Sequence, residues 1–307
     1  MAQLNNTRNM DEVLLTIYCF VDDFLNTVLT QIKPALHPAK VDQKTPPRKK
    51  HYLSLSEGVT LGLFRYYAGK SNWKDTYWHI KTYHYHDFPT LPCYSKFVET
   101  MNKMSPVAAV IGQVLAAFFR KNTPIHAPKF GDASKLKVCE IKREFSHKVC
   151  KGLAAKSKST MGWFYGFKLH LVCNEMMQIL SFCITPGNTD DRKGLELIWQ
   201  HIFGLIVADA GYVGKVFKTK AESLNKTLFT GVRANMKKLM TSYQHHLLKL
   251  RQCVETVFSV LKLRFLMEST LSRSPFGFFS HYLWALAAYQ LKQFFKLKNP
   301  PKSFALA

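Results

Sequence analysis

Three carboxylates in this sequence, Asp132, Asp209 and Glu255, occupy positions from which a folded chain could bring them together. Asp209 ends the run G-L-I-V-A-D (residues 204–209), the pattern of a buried strand that stops on an acid. Asp132 opens a β-patterned segment, residues 132–140. Glu255 sits in a helical stretch, residues 248–264, with Arg251 four positions before it and Lys262 seven after. At 100° per residue these three side chains fall within about 40° of one another on a helix surface. Val254, Val257, Phe258, Leu261 and Phe265 form the adjoining apolar stripe. Carboxylates that converge repel one another unless a cation sits between them. Hard oxygen donors favour Mg²⁺, with Mn²⁺ as a substitute. Two such ions about 3.5–4 Å apart would activate an attacking water or 3′-hydroxyl and stabilise a leaving oxygen, which is phosphodiester chemistry.

Each acid also has a plainer reading. Asp132 follows Gly131 and fits a turn, Asp209 fits a simple strand end, and Arg251–Glu255 fits a surface ion pair worth a few tenths of a kcal/mol. Asp190-Asp191 is a rival ligand source, but after P-G-N-T it more naturally caps a helix. Lys168 and His170 share one face of residues 162–174, opposite Trp163, Tyr165, Phe167, Leu169 and Leu171, which read as the core face. From there they would reach a substrate phosphate or line a solvated face. Arg233 and Lys237 follow a strand end and are candidates for holding a nucleic-acid backbone, which sets affinity and salt dependence and not sequence choice.

The partner class follows from charge. Lys and Arg number 43 against 20 Asp and Glu, a formal charge of +23 spread over 307 residues, and a phosphate polyanion is the natural complement. With 47% hydrophobic and 13% aromatic residues the chain can bury a sizeable core, so wholesale disorder is excluded. Seven cysteines, with no C-x-x-C pair, read as reduced thiols of an intracellular chain and not as a disulfide scaffold. The spacing of Cys139, His147 and Cys150 fits no usual zinc pattern. No signal peptide opens the sequence. The longest apolar stretches, residues 107–119 and 276–291, fall short of a membrane span, so a soluble protein with no membrane partner is expected.

The elements that must position the acids come in two groups. Residues 11–31 read as a helix, and Ser54 with Glu57 forms a capping box for a helix through about residue 67. A further helix covers 94–104, and a separate one starts with Ser105 as cap and Pro106 in its first turn. Residues 33–50, with four prolines and the cluster Arg48-Lys49-Lys50, read as a linker or basic arm. Residues 1–125 are thus an all-helical region and a candidate for DNA-end binding, as a helix-turn-helix reader or only a packing platform. Beyond residue 128 come strands at 132–140, 162–174 and 178–185, a helix to about 203, the strand 204–209, a helix to about 224 and a strand at 227–232. The Glu255 helix and a last helix from Ser274-Pro275 complete the series. That order predicts an α/β fold, a ribonuclease H-like mixed sheet flanked by helices. In it the first and fourth strands are neighbours, which brings Asp132 beside Asp209. Residues 126–298 form this domain and 299–307 a tail.

At these residues the sequence resembles the DDE transposases of bacterial insertion sequences, most closely insertion-sequence family 982. The resembling segments are D-A-S-K-L-K-V-C (132–139), K-S-T-M-G-W-F-Y-G-F-K-L-H-L-V (158–172), P-G-N-T-D-D-R (186–192), A-D-A-G-Y (208–212), G-V-R-A-N-M-K (231–237) and R-Q-C-V-E-T-V-F-S-V-L-K (251–262). The resemblance implies that Asp132, Asp209 and Glu255 are the metal-binding triad for two Mg²⁺ ions. It implies that Arg251 and Lys262 contact DNA near the cut. It further implies cleavage of double-stranded DNA at terminal inverted repeats, strand transfer into target DNA, and a homodimer or higher assembly on DNA. A cytoplasmic, nucleoid-associated bacterial protein is expected. The chain departs from the pattern at Ala210, Ser157 and Leu248, where lysine, glycine and, in some relatives, tyrosine stand. A decayed copy that only binds DNA, and a nuclease of the same fold without strand transfer, are the alternatives.

Overall fold

The computed structural model describes residues 10–36, 53–159, 162–212, 214–231, 240–268, 270 and 272–298. Four helices come first: α1 (Met10–Leu36), α2 (Leu55–Tyr67), α3 (Trp73–Tyr83) and α4 (Tyr94–Lys121). The Ser54–Glu57 capping box forms as expected, with the Glu57 N–H donating to Ser54 Oγ at 3.1 Å and the Ser54 N–H to Glu57 Oε2 at 2.6 Å. Helix α3 was not foreseen. Its start is fixed by Asn72, whose side chain accepts the Asp75 N–H at 2.9 Å.

Residues 94–121 form one helix and not two, with Pro106 inside α4. A proline removes one backbone bond. Here Met101, Ser105, Ala108 and Ile111 are buried on both sides of it, and α4 packs on α2 and α9 (Pro275–Phe294), so the helix continues through. By length and composition α4 is apolar enough to cross a membrane, unlike the shorter stretch read from sequence. In the fold it packs on α2, α9 and the strand Ile179–Pro186. The Trp284 indole N–H donates to the Met101 carbonyl at 3.1 Å, and the Gln290 amide to that of Gly112 at 2.6 Å.

The sheet has six strands: β1 (Lys129–Cys139), β2 (Ala155–Ser159), β3 (Gly162–Asn174), β4 (Ile179–Pro186), β5 (Gly204–Ala208) and β6 (Lys226–Thr230). β3 is the axis of its antiparallel half. It pairs with β1 along one edge, and with β2 and then β4, end to end, along the other. β1 pairs in parallel with β5, and β5 with β6. The order β4-β3-β1-β5-β6 is the ribonuclease H-like arrangement expected, with β2 added at the outer edge. Helices α5 (Asp191–Ile198) and α6 (Lys215–Ser223) follow β4 and β5.

The stretch read as one helix over residues 248–264 is broken. α7 (Ser242–Leu250) ends and α8 (Gln252–Leu263) begins at Arg251. The apolar stripe of α8 is buried as expected: Val254, Val257, Phe258, Leu261 and Phe265 all lie within the core. Buried apolar residues run without a gap from α1 to α9, so the helical region and the sheet share one core.

Candidate functional site

Parallel pairing sets Lys129, Phe130 and Gly131 of β1 beside Ile206, Val207 and Ala208 of β5. The next residue on each strand is an aspartate, Asp132 and Asp209. There the strands part: β1 continues along β3, and β5 turns into a 3₁₀ turn, Ala210–Tyr212. Each aspartate is steadied by the next amide, the Ala133 N–H donating to Asp132 Oδ1 at 2.8 Å and the Ala210 N–H to Asp209 Oδ1 at 2.7 Å. Burial pushes the Asp132 carboxyl up to about 6; the Ala133 amide and Arg251 oppose this and the Asp209 charge adds to it.

Glu255 comes to the same place on α8, which packs on β1 and β3. Arg251, at the α7–α8 joint, stands between the acids. Its Nη2 donates to Glu255 Oε1 at 2.6 Å and its Nη1 to Asp132 Oδ2 at 3.2 Å. The cation that converging carboxylates demand is therefore supplied here by the chain itself. Among the described residues no three acids, histidines or cysteines converge closely enough to hold a metal ion. The donors nonetheless fit one: two carboxylates juxtaposed at neighbouring strand ends and a third one guanidinium away, all hard oxygens suited to Mg²⁺ or Mn²⁺.

Arg251 is less open than the resemblance implies: only 18% of its side chain is exposed, and its guanidinium is engaged by two carboxylates. Lys262 lies about two turns beyond Glu255 on α8, half-buried. Burial lowers its pKa, Glu268 opposes that shift and Lys135 reinforces it.

His170 and Lys168 are corrected. His170 is 1% exposed, its ring packed against Gly194 of α5 and its Nε2 2.8 Å from Thr185 Oγ1, so no phosphate can reach it. Lys168 donates to Asp191 Oδ1 at 2.8 Å and to the Thr189 carbonyl at 2.9 Å, pinning the 186–191 loop to β3. The sequence pattern failed because β3 is covered on both faces, one by α5 and the other by α8 and α9. Asp190 caps α5, and its bonds from Arg192 hold its carboxyl down at about 2. Arg233 and Lys237 lie outside the described residues, as do Arg48-Lys49-Lys50 and the tail.

One site residue went unread. Tyr212 is 3% exposed beneath the acids; burial foremost, and then the charges of Asp132, Asp191 and Asp209, push its hydroxyl well above the usual tyrosine range. Its place three residues after Asp209, in A-D-A-G-Y, was the available signal.

The family model of the transposase DDE domain matches residues 122–275, half of the chain, a span that contains all three acids. The chain belongs to the DDE transposase family. Transposases of this family form a DNA-cleaving and DNA-transferring enzyme class, generally dependent on divalent metal. No curated protein matches the sequence. Two solved structures show a distant likeness to this transposase. One, a crystal structure of a pre-cleavage Mos1 transpososome, is 10% identical over 92% of this chain and 97% of that one, with a TM-score of 0.19. The other, a Mos1 transposase paired-end complex with left transposon end, is 11% identical over 97% and 100%, with a TM-score of 0.20.

Proposed function

We propose that this chain is the transposase of a bacterial insertion sequence, most like family 982, which cuts double-stranded DNA at terminal inverted repeats and joins the freed 3′ ends to target DNA. The observation that carries this reading is the β1–β5 register, whose last pair, Gly131 and Ala208, is followed on each strand by an aspartate, with Glu255 tied to Asp132 through Arg251. Those three acids would hold two Mg²⁺ ions, with Mn²⁺ as a substitute. When bound, such ions supply Lewis-acid polarisation of the phosphate and of the attacking hydroxyl.

The protein's own contribution is positioning. The strand ends and α8 fix the carboxylates, and the buried stripe of α8 sets how far Glu255 reaches toward the sheet. Arg251 neutralises the acids until they are needed; once they release it, its guanidinium stands next to the reacting phosphate. Lys262 holds the DNA backbone nearby. Residues 1–125 bind element ends, 126–298 do the chemistry, and 299–307 are a tail. Pairing two ends requires a homodimer or a larger assembly, at work in the bacterial cytoplasm on the nucleoid.

The test is an assay of the purified chain with Mg²⁺, a duplex carrying the short inverted repeats that flank its coding region, and a target plasmid. Joined products are expected. Binding without nicking would point instead to a decayed copy that only occupies DNA, a reading Ala210 keeps open because lysine is common there among relatives. Nicking without joined products would point to a nuclease.

A further inference from the structure

The antiparallel end of the sheet runs well past the carboxylates. Leu171 of β3 is paired with Asp132, and Trp163 lies eight residues further along the same strand. Alternation keeps Trp163, Tyr165, Phe167, Leu169 and Leu171 on one face, and paired residues share a face, so this is the face of Asp132. At a strand rise of about 3.4 Å, Trp163 stands about 27 Å from the acids.

Between the two points the face is covered, Phe167 by the rings of Phe278 and Phe279. At the far end it opens, and Trp163 is 56% exposed. Its direct cross-strand partner is Lys158, itself exposed. Lys156 Nζ lies 5.6 Å from the indole centre and pairs with Glu144 at 3.0 Å, tying β2 to the segment that carries Phe145, which is 88% exposed. Residues 141–158 hold six Lys and Arg against the single acid Glu144. Along the way β1 has no β5 partner after Gly131, and Lys135 comes close enough to Lys262 for the two charges to interact. A basic edge thus leads from the acids to a basic end bearing two open aromatic rings. Lysines among exposed rings complement a polyanion that also presents sugar and base surfaces.

We propose that this end of the β2–β3 hairpin, with Lys158 and Trp163 at its centre, is a second duplex-DNA contact about eight base pairs from the carboxylates. It rests on the transposase reading, which puts DNA at the acids. The test uses the full chain and a fluorescein-labelled duplex of random sequence. Lys158→Gln lowers the slope of log affinity against log salt by about one. Trp163→Ala weakens binding about fivefold through loss of the apolar contact between the indole and the sugar backbone. Both side chains are exposed, so thermal unfolding stays unchanged, and in the wild type the duplex shields Lys158 from acetylation. Unchanged affinity, slope and acetylation, with a wild type that binds the duplex, would overturn this contact and leave the transposase reading standing. The same holds if the variants change only the oligomeric state, which would make the hairpin a protein contact. A wild type that binds no duplex at all would overturn the reading and this contact with it.

Discussion

Arg251 decides how the three acids coexist. Two aspartates on adjacent strand ends and a nearby glutamate would repel, and the guanidinium meets both sides at 3.2 and 2.6 Å. A divalent ion that takes all three must displace it. Arg251→Gln should therefore tighten Mn²⁺ binding by about tenfold, the worth of one charge-assisted bond no longer competing; calorimetry on the DNA-free chain would show it, and weaker binding would mean that the arginine assists the metal. The aspartates stood out in the sequence because one opens and the other ends a patterned segment, and Glu255 because it lies between two basic residues on a helix. The Arg251–Glu255 spacing was legible too, but not the reach to Asp132, since helical periodicity says nothing about contacts across the fold. Lys168 and His170 were misread for a related reason: alternation in β3 shows which residues share a face, not whether a helix lies on the other side.

At the scale of elements, β1 and the end of β5 present the aspartates and α8 presents Glu255, with β3 packed between helices beside them, and all depend on close packing. Gly194 of α5 faces the His170 ring so closely that a β-carbon there would collide with it. Gly194→Ala should cost about 1–3 kcal/mol through overpacking, despite alanine's better helix propensity; urea unfolding would reveal the loss, and a gain would show that α5 can shift. On α8, Leu261→Ala should cost about 2–5 kcal/mol and loosen the aim of Glu255. The sequence marked α8's apolar stripe and the full length of β3 but missed the break at Arg251, because the apolar spacing continues across it from Leu247 to Val254. It also missed β2, whose K-S-K-S pattern has no apolar face, and split α4 at Pro106, where burial on both sides outweighs the lost backbone bond. Helix α3 escaped because aromatic and polar residues mix along it, leaving Asn72 as its main mark.

For the whole molecule, a charge of +23 is carried on a fold with buried neutral histidines. Burial lowers both His170 and His281 to about 4. The unfolded chain takes up those protons near pH 6.5 and the folded chain only near 4, so stability is complete above about pH 6.5 and drains as pH falls toward 4. Each histidine contributes about 3 kcal/mol to that slope. Denaturation near pH 7 and about pH 4.5 should show the loss, and His281→Gln should flatten part of it. The mixed sheet and its helical flank were legible from element order. The shared core was not, because nothing in the spacing shows that α9 packs on α4. The central claim is that Asp132, Asp209 and Glu255 act as one metal-dependent cutting centre. Its most direct measurement is Mg²⁺-dependent nicking of terminal-repeat DNA by Asp132→Ala, Asp209→Ala and Glu255→Gln, each checked for retained DNA binding. All three should bind and fail to cut; full cutting by any one of them would contradict the account.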